Sequence, residues 1–268
     1  MMITKSQIIH DLTRLGVQPG QTIMLHASLK AVGWVVGGPD IVIQALLELL
    51  GPEGTLMMYV SWEEWERVLV FGIDQLPKEQ QAAYRQECPP FDPATSRATR
   101  QWSILTEYLR TWRGAYRSNH PTASVAAVGA RAAWLTAQHP LDYGYGPGSP
   151  FAKLREVGGK VLLLGAPFKT ITLLHHAEHL ADIPNKRVII NKVPILRDGT
   201  RVWVEVEEFD TCESIIAGYQ AEEYFESIGR EYGAAGNSQQ GKVGVADSYL
   251  FDGADLTAFA KQWMEKRW

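Results

Sequence analysis

The stretch Leu174-His175-His176-Ala177-Glu178-His179 follows the apolar run Val161-Leu162-Leu163-Leu164-Gly165 after one short turn. Residues 160–164 read as a buried strand, Gly165-Ala166-Pro167 as the turn, and Thr170 or Thr172 as the N-cap of a helix. On that helix His175 and Glu178 stand three apart, share a face and can hydrogen-bond. A helix that begins just past the carboxyl end of a strand opens onto the crevice where α/β sheets bind ligands. His175 therefore reads as a general base and Glu178 as the carboxylate that orients it. Two other readings compete. One is an ordinary polar helix face with a satisfied histidine. The other is the H-x-x-E-H pattern of inverted zincins, in which His175 and His179 would bind zinc and Glu178 would activate water. That site needs a third protein ligand, which nothing in the sequence singles out.

The elements that must position these residues follow from patterning. Thr4-Lys5-Ser6-Gln7 is a capping box, and Ile8, Leu12 and Leu15 recur at helical spacing until Gly16. Pro19-Gly20 turns the chain into a strand over 22–26, and Gly33 to Gly38 reads as a loop. Pro39 opens a second helix with Ile41, Val42, Ala45, Leu46, Leu49 and Leu50 on its apolar face, closed by Gly51. A strand over 55–60 completes a strand, loop, helix, strand unit, the opening of a parallel sheet. Residues 61–90 break the pattern with Trp62, Trp65, Phe71 and a polar helix-prone segment, and read as an insertion that walls a substrate site. A helix over 103–112, a strand over 122–128 and a Gly/Pro-rich loop over 143–150 follow. Val188-Ile189-Ile190 and residues 201–207 alternate around Asp198-Gly199, an antiparallel hairpin. Helices over 221–231 and 256–266 and a strand near 242–251 complete the chain. These elements predict an α/β fold, a single domain over residues 1–268. Its central mixed sheet has helices on both faces and an antiparallel hairpin in the C-terminal third.

Composition narrows the function classes. Of 268 residues, 46% are hydrophobic and 21% charged, ordinary for a globular chain, and the formal net charge is -4. That charge argues against nucleic acid as partner and suits a cationic one. No apolar stretch approaches the twenty or so residues needed to cross a bilayer, and the first residues lack a secretory core, so a cytoplasmic protein without a membrane partner is expected. Cys88 and Cys212 form no C-x-x-C unit and read as free thiols.

Other segments are individually weak. Residues 26–40 have the parts of an anion-binding loop that ends at a helix N-terminus, without a Walker or G-x-G-x-x-G pattern, and Asp40 in the first turn favours a plain helix start. Arg117-Ser118-Asn119-His120-Pro121 reads either as a grip on phosphate or pantetheine amides or as a capped turn. Phe91-Asp92-Pro93-Ala94-Thr95 reads as an Asx turn unless a ligand needs its carboxylate. Glu205 and Glu207 alternate with Val204 and Val206 as a solvated strand face. Asp210 and Glu213 fall after the alternation ends and are the better contacts for a cation.

Taken in order, these segments resemble the aminoglycoside 3-N-acetyltransferase family, which is distinct from the Gcn5-related acetyltransferases. The resemblance spans nearly the whole chain. It is carried by Leu25-His26-Ala27-Ser28-Leu29, Val36-Gly37-Gly38-Pro39, Gly51-Pro52-Glu53-Gly54-Thr55-Leu56, Pro90-Phe91-Asp92-Pro93, Arg117-Ser118-Asn119-His120-Pro121, Gly148-Ser149-Pro150, Leu163-Leu164-Gly165, Leu174-His175-His176-Ala177-Glu178, Glu208-Phe209-Asp210-Thr211 and Gly241-Lys242-Val243-Gly244. It implies transfer of an acetyl group from acetyl-coenzyme A to the 3-amino group of 2-deoxystreptamine antibiotics, conferring resistance, without a metal. His175 is then the base with Glu178 beside it. Coenzyme A contacts carry over to Ser28, Leu29, Gly33, Val36, Gly37, Gly38, Ser118, His120 and Ser124. The cationic aminoglycoside falls to Asp92, Glu178, Asp210 and Glu213. Ala27 stands where serine is common, His176 where an aromatic is common, and the stretch 61–90 is longer than usual. A monomer or homodimer is expected. Another amine as acceptor, or a zinc hydrolase on His175, Glu178 and His179, are the alternative functions.

Overall fold

The computed structural model describes residues 2–184, 186–210, 214–220 and 223–268, the side chains of residues 70 and 71 aside. The chain begins with β1 (Met2–Ile3), and Thr4 caps α1 (Lys5–Leu15) by accepting the Gln7 amide at 3.2 Å, as the capping box predicts. Gly16 closes α1 in the left-handed region at φ 101. Thr4→Ala is expected to cost about 1 kcal/mol, read as a lower urea midpoint at unchanged slope.

β2 (Thr22–Ala27) leads through α2 (Leu29–Val32) into β3 (Trp34–Val35). β3 pairs in parallel with β1, so part of the expected loop 33–38 is a short strand that the N-terminal residues hold in place. α3 (Gly38–Leu50) and β4 (Thr55–Tyr59) complete the parallel unit. The insertion forms α4 (Glu63–Phe71) and α5 (Lys78–Glu87). α6 (Leu105–Arg110) is shorter than predicted, because Ser103 lies ahead of it and accepts the Leu105 amide. β5 (Tyr116–Arg117) and β6 (Val125–Gly129) follow. β6 starts late because the amides of Thr122 and Ala123 turn inward to His120 Nδ1 instead of joining the sheet.

α7 (Ala132–Thr136), α8 (Pro150–Glu156), β7 (Lys160–Leu164) and α9 (Leu173–Leu180) lead to the hairpin of β8 (Val188–Arg197) and β9 (Thr200–Phe209). Its turn is Asp198-Gly199, both at positive φ. After α10 (Glu223–Ala234), the single strand expected near 242–251 is a second hairpin. β10 (Ser238–Val243) and β11 (Ala246–Asp252) fold back at Gly244, before α11 (Gly253–Glu265). Residue 221, the expected start of α10, lies outside the described residues.

The central sheet has the order β10-β11-β7-β2-β4-β6-β5, with β7, β2 and β4 parallel and the flanking strands antiparallel. Strand alternation splits the core. Ile23 and Leu25 face one layer with Leu12 and Leu46, whereas Met24 faces the other with Leu163, Leu174, Phe225 and Trp263. Helices therefore cover both faces. The β8–β9 hairpin is a separate two-stranded sheet. It packs on the insertion in a smaller core of Trp62, Trp65, Cys88, Phe91, Val193, Ile195 and Val206, tied by the Phe91 amide to Pro194 O at 2.8 Å. Cys88 is a buried free thiol, and Cys212 lies outside the described residues.

Candidate active site

The order of the sheet puts β2 between two parallel neighbours, and the crevice at its carboxyl end is the site such sheets offer to ligands. Gly165 ends β7 at φ 62, where a Cβ would come within 2.4 Å of Ala31 Cβ, so only glycine turns the chain tightly enough here. A 3-10 turn over Phe168–Thr170 then delivers α9. Thr172 holds the N-cap position but is itself helical and makes no capping bond, so neither predicted threonine caps the helix by its side chain.

On α9, His175 Nδ1 and Glu178 Oε2 lie 2.6 Å apart, both side chains buried. The other carboxylate oxygen of Glu178 accepts the Tyr224 hydroxyl. Tyr145 and Phe225 sandwich the His175 ring at 4.8 and 4.9 Å between centroids, which fixes its plane. With Nδ1 committed to Glu178, Nε2 is the atom that can take a proton. His176, next in sequence, faces the scaffold: its Nδ1 bonds Tyr145 O at 2.8 Å, and burial lowers its pKa to about 4. His179 pairs with Glu208 Oε1 at 2.8 Å. The two imidazoles of the H-x-x-E-H pattern thus serve separate carboxylates. Among the described residues no three histidine, cysteine, aspartate or glutamate side chains converge as a metal site.

His175 opens into a pocket whose floor is His26, Ala27 and Ser28 at the end of β2. Its walls are Trp65, Glu66 and Leu69 of the insertion on one side and Ile189, Asn191, Glu208 and Phe209 of the hairpin on another. Glu66 and Glu208 are buried carboxylates, and Glu208 Oε2 has no hydrogen-bond partner among the described residues. Sequence reasoning passed over both. Glu208 is in phase with Val204 and Val206, the inward residues of β9, and Glu66 lies one turn after Trp62 on the buried face of α4, so the signals were present.

The nominated acidic residues fare differently. Asp92 makes the predicted Asx turn, accepting the Ala94 amide at 3.0 Å and the Thr95 hydroxyl at 2.8 Å, and it does not line the pocket. The carboxylate assigned to the antibiotic is thus engaged in its own turn. Asp210 is buried and paired with Arg187 at 3.1 Å, behind the lining. Glu213 lies outside the described residues. Ser28 is in the pocket, capping α2 through the Ala31 amide. Leu29 opens α2, Gly33 closes it, the exposed Val36 lies beyond, and Gly37 enters α3 with no side-chain cap on the helix amides.

Ser118, His120 and Ser124 are fully buried and spent within the protein. Ser118 Oγ accepts the Val125 amide, His120 bonds Leu141 O and two amides, and Ser124 Oγ donates to Val60 O. Arg117 likewise grips Val60 O, Ser96 O and Ser124 Oγ, and burial lowers its pKa to about 9. The R-S-x-H-P segment thus forms the capped turn, the alternative to a coenzyme contact, with these side chains bonded within the protein.

A mixed sheet with an acid-walled pocket at the carboxyl ends of its parallel strands, and a histidine–glutamate pair inside, defines the class as an α/β enzyme. The model of the family described as aminoglycoside 3-N-acetyltransferase matches residues 24–265. Aminoglycoside N(3)-acetyltransferase III of Pseudomonas aeruginosa is 52% identical over 98% of this chain and 94% of its own. A solved structure of AAC-IIIb in binary complex with coenzyme A superposes at a TM-score of 0.91, with 48% identity, over 99% of this chain and 97% of that one. The room-temperature neutron/X-ray structure of sisomicin-bound AAC-VIa gives 0.89 at 38% identity, covering 99% of both chains. The chain belongs to the aminoglycoside 3-N-acetyltransferase family and is an acyltransferase.

Proposed function

We propose that this protein moves the acetyl group of acetyl-coenzyme A to the 3-amino group of a 2-deoxystreptamine aminoglycoside, in the cytoplasm and without a metal, and so confers resistance. The observation that carries the reading is the buried 2.6 Å contact of His175 with Glu178 inside an acid-walled pocket. An amine attacks a thioester only when it has shed its extra proton, and an imidazole with an ordinary pKa of about 6.5 is mostly neutral at pH 7. His175 Nε2 takes that proton. Glu178 fixes the tautomer and steadies the imidazolium, and Tyr224 holds Glu178 from the far side.

Acetyl-coenzyme A supplies the activated acyl carbon. Its contacts are assigned to Ser28, Leu29, Gly33, Val36, Gly37 and Gly38, where uncapped helix amides suit an anion and no atom lies within 4 Å of a Cβ placed on Gly38. The AAC-IIIb complex with coenzyme A supports acetyl-coenzyme A as the co-substrate. Glu66 and Glu208 line the pocket as carboxylates for a cationic sugar, with Glu178 beside the reacting amine. The sisomicin complex of AAC-VIa supports such a ligand. A single domain over residues 1–268, as monomer or homodimer, carries the reaction, with 61–90 as one wall of the antibiotic site.

The test is incubation with acetyl-coenzyme A and, separately, sisomicin, gentamicin and apramycin, followed by mass spectrometry and NMR of the product. Gain of one acetyl group at N3 is expected. Absence of product, or acetylation at another nitrogen, would contradict the assignment.

A further inference from the structure

The pocket holds a second imidazole that the reaction as described leaves without a role. His26 is the penultimate residue of β2 and lies in phase with Met24, on the sheet face that α9 covers. It lines the same pocket as His175. Its Nε2 is buried without a hydrogen-bond partner among the described residues. A buried polar atom left unpaired costs on the order of 1–3 kcal/mol, and the cost depends on whether it is a bare lone pair or an N–H. A bare lone pair is the cheaper group to bury unpaired than an N–H, which places the ring proton on Nδ1, the nitrogen not sealed into the protein.

Two neighbouring hydroxyls are already engaged as donors: Thr170 Oγ1 donates to Pro167 O, and the Tyr145 hydroxyl donates to Tyr59. His26 is two residues before Ser28, on the coenzyme side of the pocket. Burial lowers its pKa to about 4, so at pH 7 the ring is neutral and keeps its N–H.

We infer that His26 is a further catalytic residue, donating its imidazole N–H to the thioester carbonyl oxygen as negative charge develops there. The inference rests on the acetyl-transfer reading above. As the amine lone pair forms the C–N bond, the carbonyl π pair moves onto oxygen, and the His26 N–H holds that oxyanion. His175 Nε2 takes the proton from the attacking nitrogen. The oxygen pair then re-forms the carbonyl, the C–S bond breaks with its electrons on sulfur, and His175 returns the proton to the thiolate. His26 ends the cycle with the proton it began with, a role that a neutral imidazole fills and an easily titrated one does not.

The experiment compares wild type, H26L and H26N with sisomicin and acetyl-coenzyme A carrying carbon-13 at the acetyl carbonyl. Leucine removes the donor, and asparagine returns an amide N–H near the Nδ1 position. For H26L, kcat is expected to fall about 10²- to 10³-fold with both KM values within about threefold, and H26N to regain about tenfold. The carbonyl resonance of bound, unreacted thioester is expected to move downfield in wild type and H26N but not in H26L. An H26L enzyme within about threefold of wild-type kcat overturns the inference. So does a carbonyl resonance that is the same in wild type and H26L. Should H26L not fold, H26N carries the test, and loss of the downfield shift in it overturns the inference. A wild-type protein that acetylates no amine defeats the acetyl-transfer reading instead, while the carbonyl shift in the binary complex still reports on His26.

Discussion

Replacing His175 by alanine is expected to lower kcat about 10²- to 10⁴-fold, the usual share of a positioned general base. The reason is geometric. Glu178 and Tyr224 hold the ring of His175, and the other imidazoles of α9 are committed elsewhere: His176 turns away to Tyr145 O and His179 is spent on Glu208. The loss is expected in kcat with KM for the antibiotic little changed, because the base acts in the transition state rather than in binding. Steady-state kinetics on a variant whose thermal midpoint stays near wild type checks this. A folded H175A protein acetylating at full speed would falsify the base assignment.

The second large effect is on stability in mild acid. Burial lowers the pKa of His26, His120 and His176 to about 4 each, and that of His139 well below 6.5. In the unfolded chain these rings bind protons from about pH 6.5 downward. Between pH 6.5 and 4 the unfolded state therefore carries more protons, and stability falls as pH falls. His26, His120 and His176 each contribute about 1.4 kcal/mol per pH unit across that window, or about 3 kcal/mol at its lower end, and His139 acts in the same direction. Several such rings together approach the whole stability of a typical domain, so unfolding is expected between pH 5 and 4, roughly. Urea midpoints at pH 7.5, 6, 5 and 4.5 measure it, and a midpoint that holds constant down to pH 4.5 would contradict the buried, neutral state of these rings. His120 and His139 stack at 4.4 Å between centroids, with His139 bonded to Ser118 and Gly144 O, so protonation there loosens the loop that carries Tyr145.

Much of this molecule is legible in its residues. Apolar spacing and caps place α1 and α3. The Asp198-Gly199 turn sets the register of β8 on β9, and the i, i+3 spacing of His175 and Glu178 is realised as a 2.6 Å contact. What stayed hidden depends on contacts distant in sequence. Nothing local says that Met2–Ile3 will pair with Trp34–Val35, or that Gly244 will split an apolar run into two strands. The acidic residues illustrate the same limit. Asp210, placed past the end of the alternation, is closed off by Arg187, whereas Glu208, read only as part of an acidic cluster, takes the inward place that strand parity gives it. Ser118, His120 and Ser124 carry the right chemistry for a coenzyme contact, and only their full burial shows them turned to the fold itself.

Among the described residues the β8–β9 hairpin shares no strand pairing with the seven-stranded sheet, yet it supplies Ile189, Asn191, Glu208 and Phe209 to the pocket that His175 lines. On the proposed function, the base and much of the antibiotic wall sit on different pieces of chain that meet where Glu208 pairs with His179. Selection under changing drug exposure would then have Ile189 and Asn191 to redraw, away from that junction, with the helix that carries the base inherited untouched.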